Sequence, residues 1–127
     1  MAYSSAARMD YVLRRRICRL VAGLVMADDD VDPREESFLE RLLADFGIPE
    51  EEHEGLSPIV DPLLAAAEVA LLPEAVKDQA MHLLLDAACA DGRVMQAERE
   101  YLATVARVLG IDRKDTDRMI AVRLSFS

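Results

Sequence analysis

The residues of this chain best suited to chemistry are oxygen ligands. In the stretch VMADDDVDPREESFLERLLADFGI, residues Val25 to Ile48, four aspartates (Asp28, Asp29, Asp30 and Asp32) fall within five residues, and Glu35 and Glu36 follow. Clustered carboxylates repel one another unless solvent or a counter-charge neutralises them, and a hard divalent cation does so with oxygen ligands alone. The most demanding form of such a site is the EF-hand loop. It needs oxygens at positions 1, 3, 5, 7 and 9, a glycine at 6 and a bidentate glutamate at 12. Counting from Asp28, positions 1, 3 and 5 are Asp28, Asp30 and Asp32, and position 9 is Glu36. Position 6 is Pro33 and position 12 is Leu39, a helix opener and a member of an apolar stripe. A standard EF-hand is excluded.

A second loop, ADGRVMQAERE, shares one feature with the first. An aspartate is followed seven residues later by a glutamate: Asp28 with Glu35, and Asp91 with Glu98. Two readings of these four residues stay open. In one they are metal ligands, joined in the first loop by Asp30 and Asp32, and calcium, magnesium or manganese suits them better than zinc. In the other they are structural, since Glu35 and Glu98 stand where the glutamate of a capping box stands. No organic cofactor is expected, because there is no glycine-rich phosphate loop, and no serine elbow suggests an enzyme. His82, between Met81 and Leu83, reads as a packing-edge histidine, and His53, among Glu50, Glu51, Glu52 and Glu54, offers at most a weak zinc ligand. Cys18 and Cys89 lie in apolar helical contexts and read as buried thiols. The six methionines read as core filler.

The elements that must position these residues are legible. Residues 27–48 laid over 90–111, at an offset of 63 without a gap, give identities at Ala27/Ala90, Asp28/Asp91, Val31/Val94, Glu35/Glu98, Leu39/Leu102, Gly47/Gly110 and Ile48/Ile111. This argues for an internal duplication of a helix–loop–helix unit. Leu13, Ile17, Leu20, Val21, Leu24 and Val25 recur at helical spacing, and Asp32 with Pro33 opens the next helix as N-cap and first residue. That helix is expected to bury Phe38, Leu39, Leu42, Leu43 and Phe46 and to stop at Gly47. In the second unit a helix runs from Pro73 to about Ala90, and another carries Tyr101, Leu102, Val105 and Leu109 to Gly110. Between the units, PEEEHEG forms a short turn and DPLLAAAEVALL a helix from Asp61 to Leu72. A terminal helix spans 112–122. The expected fold is all-α, a single domain of six or seven helices built from two pseudo-symmetric repeats: repeat one over 8–48, connector 49–72, repeat two over 73–111.

Composition bounds the partners. The 127 residues carry a net charge of −9 and a pI near 4.6, which disfavours nucleic acid as a ligand because phosphate demands a cation-rich face. Twelve acidic residues against two arginines lie between Asp28 and Glu54. Arg14, Arg15, Arg16 and Arg19 concentrate the opposite charge near the start, as a solvated helix face or, more weakly, a contact for an anionic partner or membrane surface. No apolar run reaches the roughly 20 residues of a membrane span, and the first 20 residues lack the order of a signal peptide, so the cytoplasm is the expected compartment.

The stretch ACADGRVMQAERE resembles the Ala-Asp-Gly…Glu signature of the TerB family of tellurite-resistance operons, a domain also found at the N-terminus of a membrane-anchored DnaJ-like co-chaperone. The resemblance spans residues 8–122 and both loops. It implies an all-helical domain, divalent-cation binding at Asp28, Glu35, Asp91 and Glu98, a bacterial stress response and action through an unidentified protein partner. Two positions depart from the signature: Asp29 replaces the glycine of the first loop, and Met95 replaces the small polar residue before the second exit helix. Tellurite itself is an anion and would meet acidic positions, so direct binding there needs a bridging cation.

Overall fold

The structure, a computed structural model, describes residues 10–27 and 31–125. It is all-α, with six α-helices and one 3₁₀ turn: α1 (Tyr11–Val25), α2 (Pro33–Asp45), the 3₁₀ turn (Glu50–Glu52), α3 (Pro62–Ala70), α4 (Glu74–Ala88), α5 (Gln96–Val108) and α6 (Arg113–Ser125). No strand occurs among the described residues.

Helix α1 is the central element, packing on α2, α4 and α5. Asp10 opens it by accepting the Leu13 N–H at 2.8 Å, and Ile17, Leu20, Val21 and Leu24 present one buried stripe at i, i+3, i+4 and i+7. Asp32 accepts the Arg34 N–H at 2.7 Å with Pro33 in the first turn, as the sequence indicates. The same device opens α3, where Asp61 accepts the Leu63 N–H at 2.9 Å. Helices α2 and α5 also end alike. Gly47 and Gly110 adopt φ of +71° and +78°. Beyond them the Ile48 and Ile111 N–H groups reach back to the carbonyls of Leu43 and Ala106, each at 3.0 Å. This is the Schellman arrangement, which a residue with a Cβ adopts only under strain.

Several boundaries differ from the sequence reading. Helix α3 is shorter than Asp61–Leu72, α4 stops at Ala88 rather than Ala90, and α6 continues to Ser125 rather than Val122. On α2, Leu42, Leu43 and Phe46 are buried, but Phe38 and Leu39 are only partly covered.

The row of arginines on α1 is spent inside the molecule. Arg14 donates to the Phe46 carbonyl at 3.0 Å, Arg15 to Glu52 and to the Gly55 carbonyl, each at 3.0 Å, and Arg19 to the Ser57 carbonyl at 2.9 Å. Arg16 pairs with Glu68 at 3.3 Å. Arg14 therefore holds the end of α2 and the other three bind the connector to α1, where periodicity alone indicates a solvated face. The connector is drawn in further at its end. The Ile59 N–H donates to the Arg19 carbonyl at 3.0 Å, and the buried Tyr101 hydroxyl of α5 lies 2.6 Å from the Ile59 carbonyl and 3.0 Å from that of Leu20. Gly23 makes room for this crossing, since a Cβ there would fall 1.8 Å from the Ile59 oxygen.

Candidate functional site

Glu35 and Glu98 each occupy the third position of their helix, in α2 and α5. Each lies in phase with an apolar stripe, Glu35 with Leu39, Leu42 and Phe46, and Glu98 with Tyr101, Leu102 and Val105. They are consequently carried inward: Glu35 is 3% exposed and Glu98 1%. Glutamate is almost never this buried unless it is paired. Here the two side chains meet each other, in hydrogen-bonding contact across the ends of two helices.

Each glutamate also serves its own helix. Glu98 Oε1 accepts the Met95 N–H at 3.0 Å, which closes the first turn of α5 in place of the side-chain cap that Met95 cannot provide. Glu35 accepts from the backbone of Asp32 in the same way. Glu35 Oε2 is fully buried and, the Glu98 carboxyl apart, meets no backbone or side-chain donor.

The electrostatics follow from this geometry. Burial first, then the hydrogen bond to Glu98, then the charges of Glu98 and Asp91 raise the Glu35 pKa far above the ordinary carboxylate range, against a smaller opposing effect of the Asp32 backbone. Two carboxyl groups in one desolvated place cannot both ionise cheaply. A proton shared between them, or a cation, relieves the conflict.

Of the residues singled out by sequence, the structure thus brings Glu35, Glu98 and Asp91 into one neighbourhood. The Asp91 side chain is 5% exposed; its Oδ1 accepts the Arg93 N–H at 3.2 Å, and Arg93 Nε lies 3.9 Å from Oδ2. Arg34 of α2 donates to the Asp91 carbonyl at 3.1 Å and ties the start of α2 to the loop before α5. Asp32 acts as the N-cap of α2. Asp28 and Asp30, with Asp29, lie outside the described residues. Among the described residues no group of three or more His, Cys, Asp or Glu side chains is arranged to hold a metal ion.

The remaining candidates have structural roles. His53 Nε2 lies 3.0 Å from the Ile48 carbonyl, and His82 Nδ1 lies 2.7 Å from Arg123. Cys18 and Cys89 are buried, and desolvation lifts their thiols to about 12 and about 11, so neither is a ready nucleophile. The inward turn and mutual contact of Glu35 and Glu98 went unread in the sequence. The available signal was a glutamate repeating in phase with buried leucines. Among the described residues no helix is long and apolar enough to cross a membrane. Comparison with known protein families, with curated proteins and with solved structures finds no match.

Proposed function

We propose that the chain is a TerB-like divalent-cation-binding module, built on a duplicated helix–loop–helix unit and acting in a stress response through protein partners rather than by catalysis. The observation that carries this reading is the buried pairing of Glu35 with Glu98 beside Asp91. A hard cation such as calcium, magnesium or manganese would neutralise this pair, and Glu35 Oε2, a buried oxygen with no donor besides the Glu98 carboxyl, suits such a ligand. Asp28 stands in the sequence to Glu35 as Asp91 stands to Glu98, and would add a further oxygen. Binding at the paired helix ends would stiffen two loops at once, which is how a small ion could adjust a surface read by a partner.

The test is calorimetric titration of metal-stripped protein with Ca²⁺, Mg²⁺, Mn²⁺ and Zn²⁺, repeated on Glu35→Gln, Asp91→Asn and Asp28→Asn. Saturable binding at about micromolar affinity that the variants lose supports the reading. The alternative is a metal-independent helical interaction domain, favoured by the capping bonds that Glu98, Asp32 and Glu35 make. It predicts no binding tighter than about millimolar by any of the four ions.

A further inference from the structure

Between α2 and α4 lies an open cleft of about 480 Å³, a size that small ligands occupy. From α2 it is lined by Arg34, Ser37, Phe38 and Arg41, which stand at i, i+3, i+4 and i+7 and so form one stripe of the helix. Asp86 of α4 and Ala90, just past the end of that helix, line it as well. Phe38 and Ala90 are half-buried, while Ser37 and both arginines meet solvent.

The cleft concentrates a charge that its surroundings lack. Arg34 and Arg41 are the two arginines set against twelve carboxylates between Asp28 and Glu54, and both line this cleft. Neither enters an ion pair among the described residues. Arg34 spends one N–H on the Asp91 carbonyl, a neutral acceptor that leaves its charge unmatched. Arg41 makes no hydrogen bond among the described residues. Asp86, the carboxylate that lines the cleft, is taken by Arg123 of α6 at 3.2 Å.

We propose that this cleft binds a small carboxylic acid with an apolar body. The carboxylate lies between the two guanidinium groups, over the Ser37 hydroxyl, and the body rests on Phe38 and Ala90. The arginines stand two turns apart, about 10.5 Å along the helix axis, with Ser37 and Phe38 midway. Two long side chains close such a gap from either end upon a bound anion. Guanidinium suits a carboxylate because it presents paired N–H groups in one plane, and most of the Arg34 donors remain after its bond to Asp91.

The rest of the molecule selects among anions. A chain of net charge −9 repels a dianion or a polyanion at long range more than it repels a monoanion. Phosphate esters and strongly acidic peptides are thereby disfavoured, and the Phe38 ring adds contact that only a ligand with an apolar body can use. Both arginines are exposed, so water competes and the affinity is modest. The proposal does not depend on the cation reading.

The test is a nuclear magnetic resonance titration of the metal-stripped, nitrogen-labelled chain in carboxylate-free buffer, with phenylacetate as probe up to about 10 mM. Phenylacetamide removes the charge, acetate removes the body, and phenyl phosphate adds a second charge. The expected result is amide shifts at the cleft residues of α2 and α4 that saturate with a dissociation constant of about 1 mM or below. The three other probes should each bind more weakly by about fivefold or more. Arg41→Gln, with its folded spectrum kept, should weaken phenylacetate by a similar factor, and Arg107→Gln, an exposed arginine of α5, should not. The absence of saturable shifts at the highest concentration overturns the proposal. So does binding that Arg41→Gln leaves intact, or that phenylacetamide or phenyl phosphate matches.

Discussion

Burial and a second carboxyl beside it raise the pKa of Glu35 and favour its protonated form, with a consequence for stability. Its folded pKa lies above the unfolded value of about 4.3, raised by burial and by Glu98. Below the unfolded value both states are protonated and the full stability is present. Above it the unfolded chain releases a proton that the folded chain retains, so stability falls as pH rises toward the folded pKa. Metal-free protein is therefore expected to lose stability steadily between about pH 5 and pH 9. Glu35→Gln keeps the shape and has no proton to lose, so its slope should be flatter. Urea unfolding midpoints at several pH values measure this, and an unchanged slope in the variant would place the titration on another group.

Helix α5 shows how an element can be started and anchored without the usual residues. Met95 has no side-chain oxygen to cap it, so Glu98 reaches back to the Met95 N–H. One turn further on, Tyr101 carries its hydroxyl through the core to the Ile59 carbonyl, where the connector crosses α1 at Gly23. The partners are buried, so removing the hydroxyl leaves a carbonyl without its donor. Tyr101→Phe is expected to cost about 1–3 kcal/mol by denaturant unfolding. Gly23→Ala should cost more, because its Cβ would meet backbone rather than a flexible side chain. A neutral Tyr101→Phe would mean that the arginine row of α1, the Ile59 backbone bond and the packing of α3 hold the connector without the hydroxyl.

For the whole molecule, a cation bound as proposed between α2 and α5 would join helices from both halves of the chain. Ligand that binds only the folded state adds about 2.7 kcal/mol at a hundredfold excess over Kd. Unfolding in saturating calcium or manganese should therefore shift upward as one transition, and EDTA should reverse it. Glu35→Gln should abolish the shift, while Leu71→Glu, an exposed residue at the end of α3, should leave it intact. A shift that survives Glu35→Gln would assign the ion to other carboxylates of this acidic chain.

The sequence by itself determined the all-α class, the Asp-Pro starts of α2 and α3, and the glycine stops of α2 and α5. Those features rest on bonds that close within a few residues, so local residue types decide them. Only the tertiary structure decided that Glu35 and Glu98, 63 positions apart, meet in a desolvated place, that the arginines of α1 clamp the connector, and that α3 turns an apolar face outward. Each depends on which helix lies beside which. A helical repeat shows that a face exists without showing what covers it, and burial, which turns two ordinary glutamates into a strained pair, is a property of the packed chain.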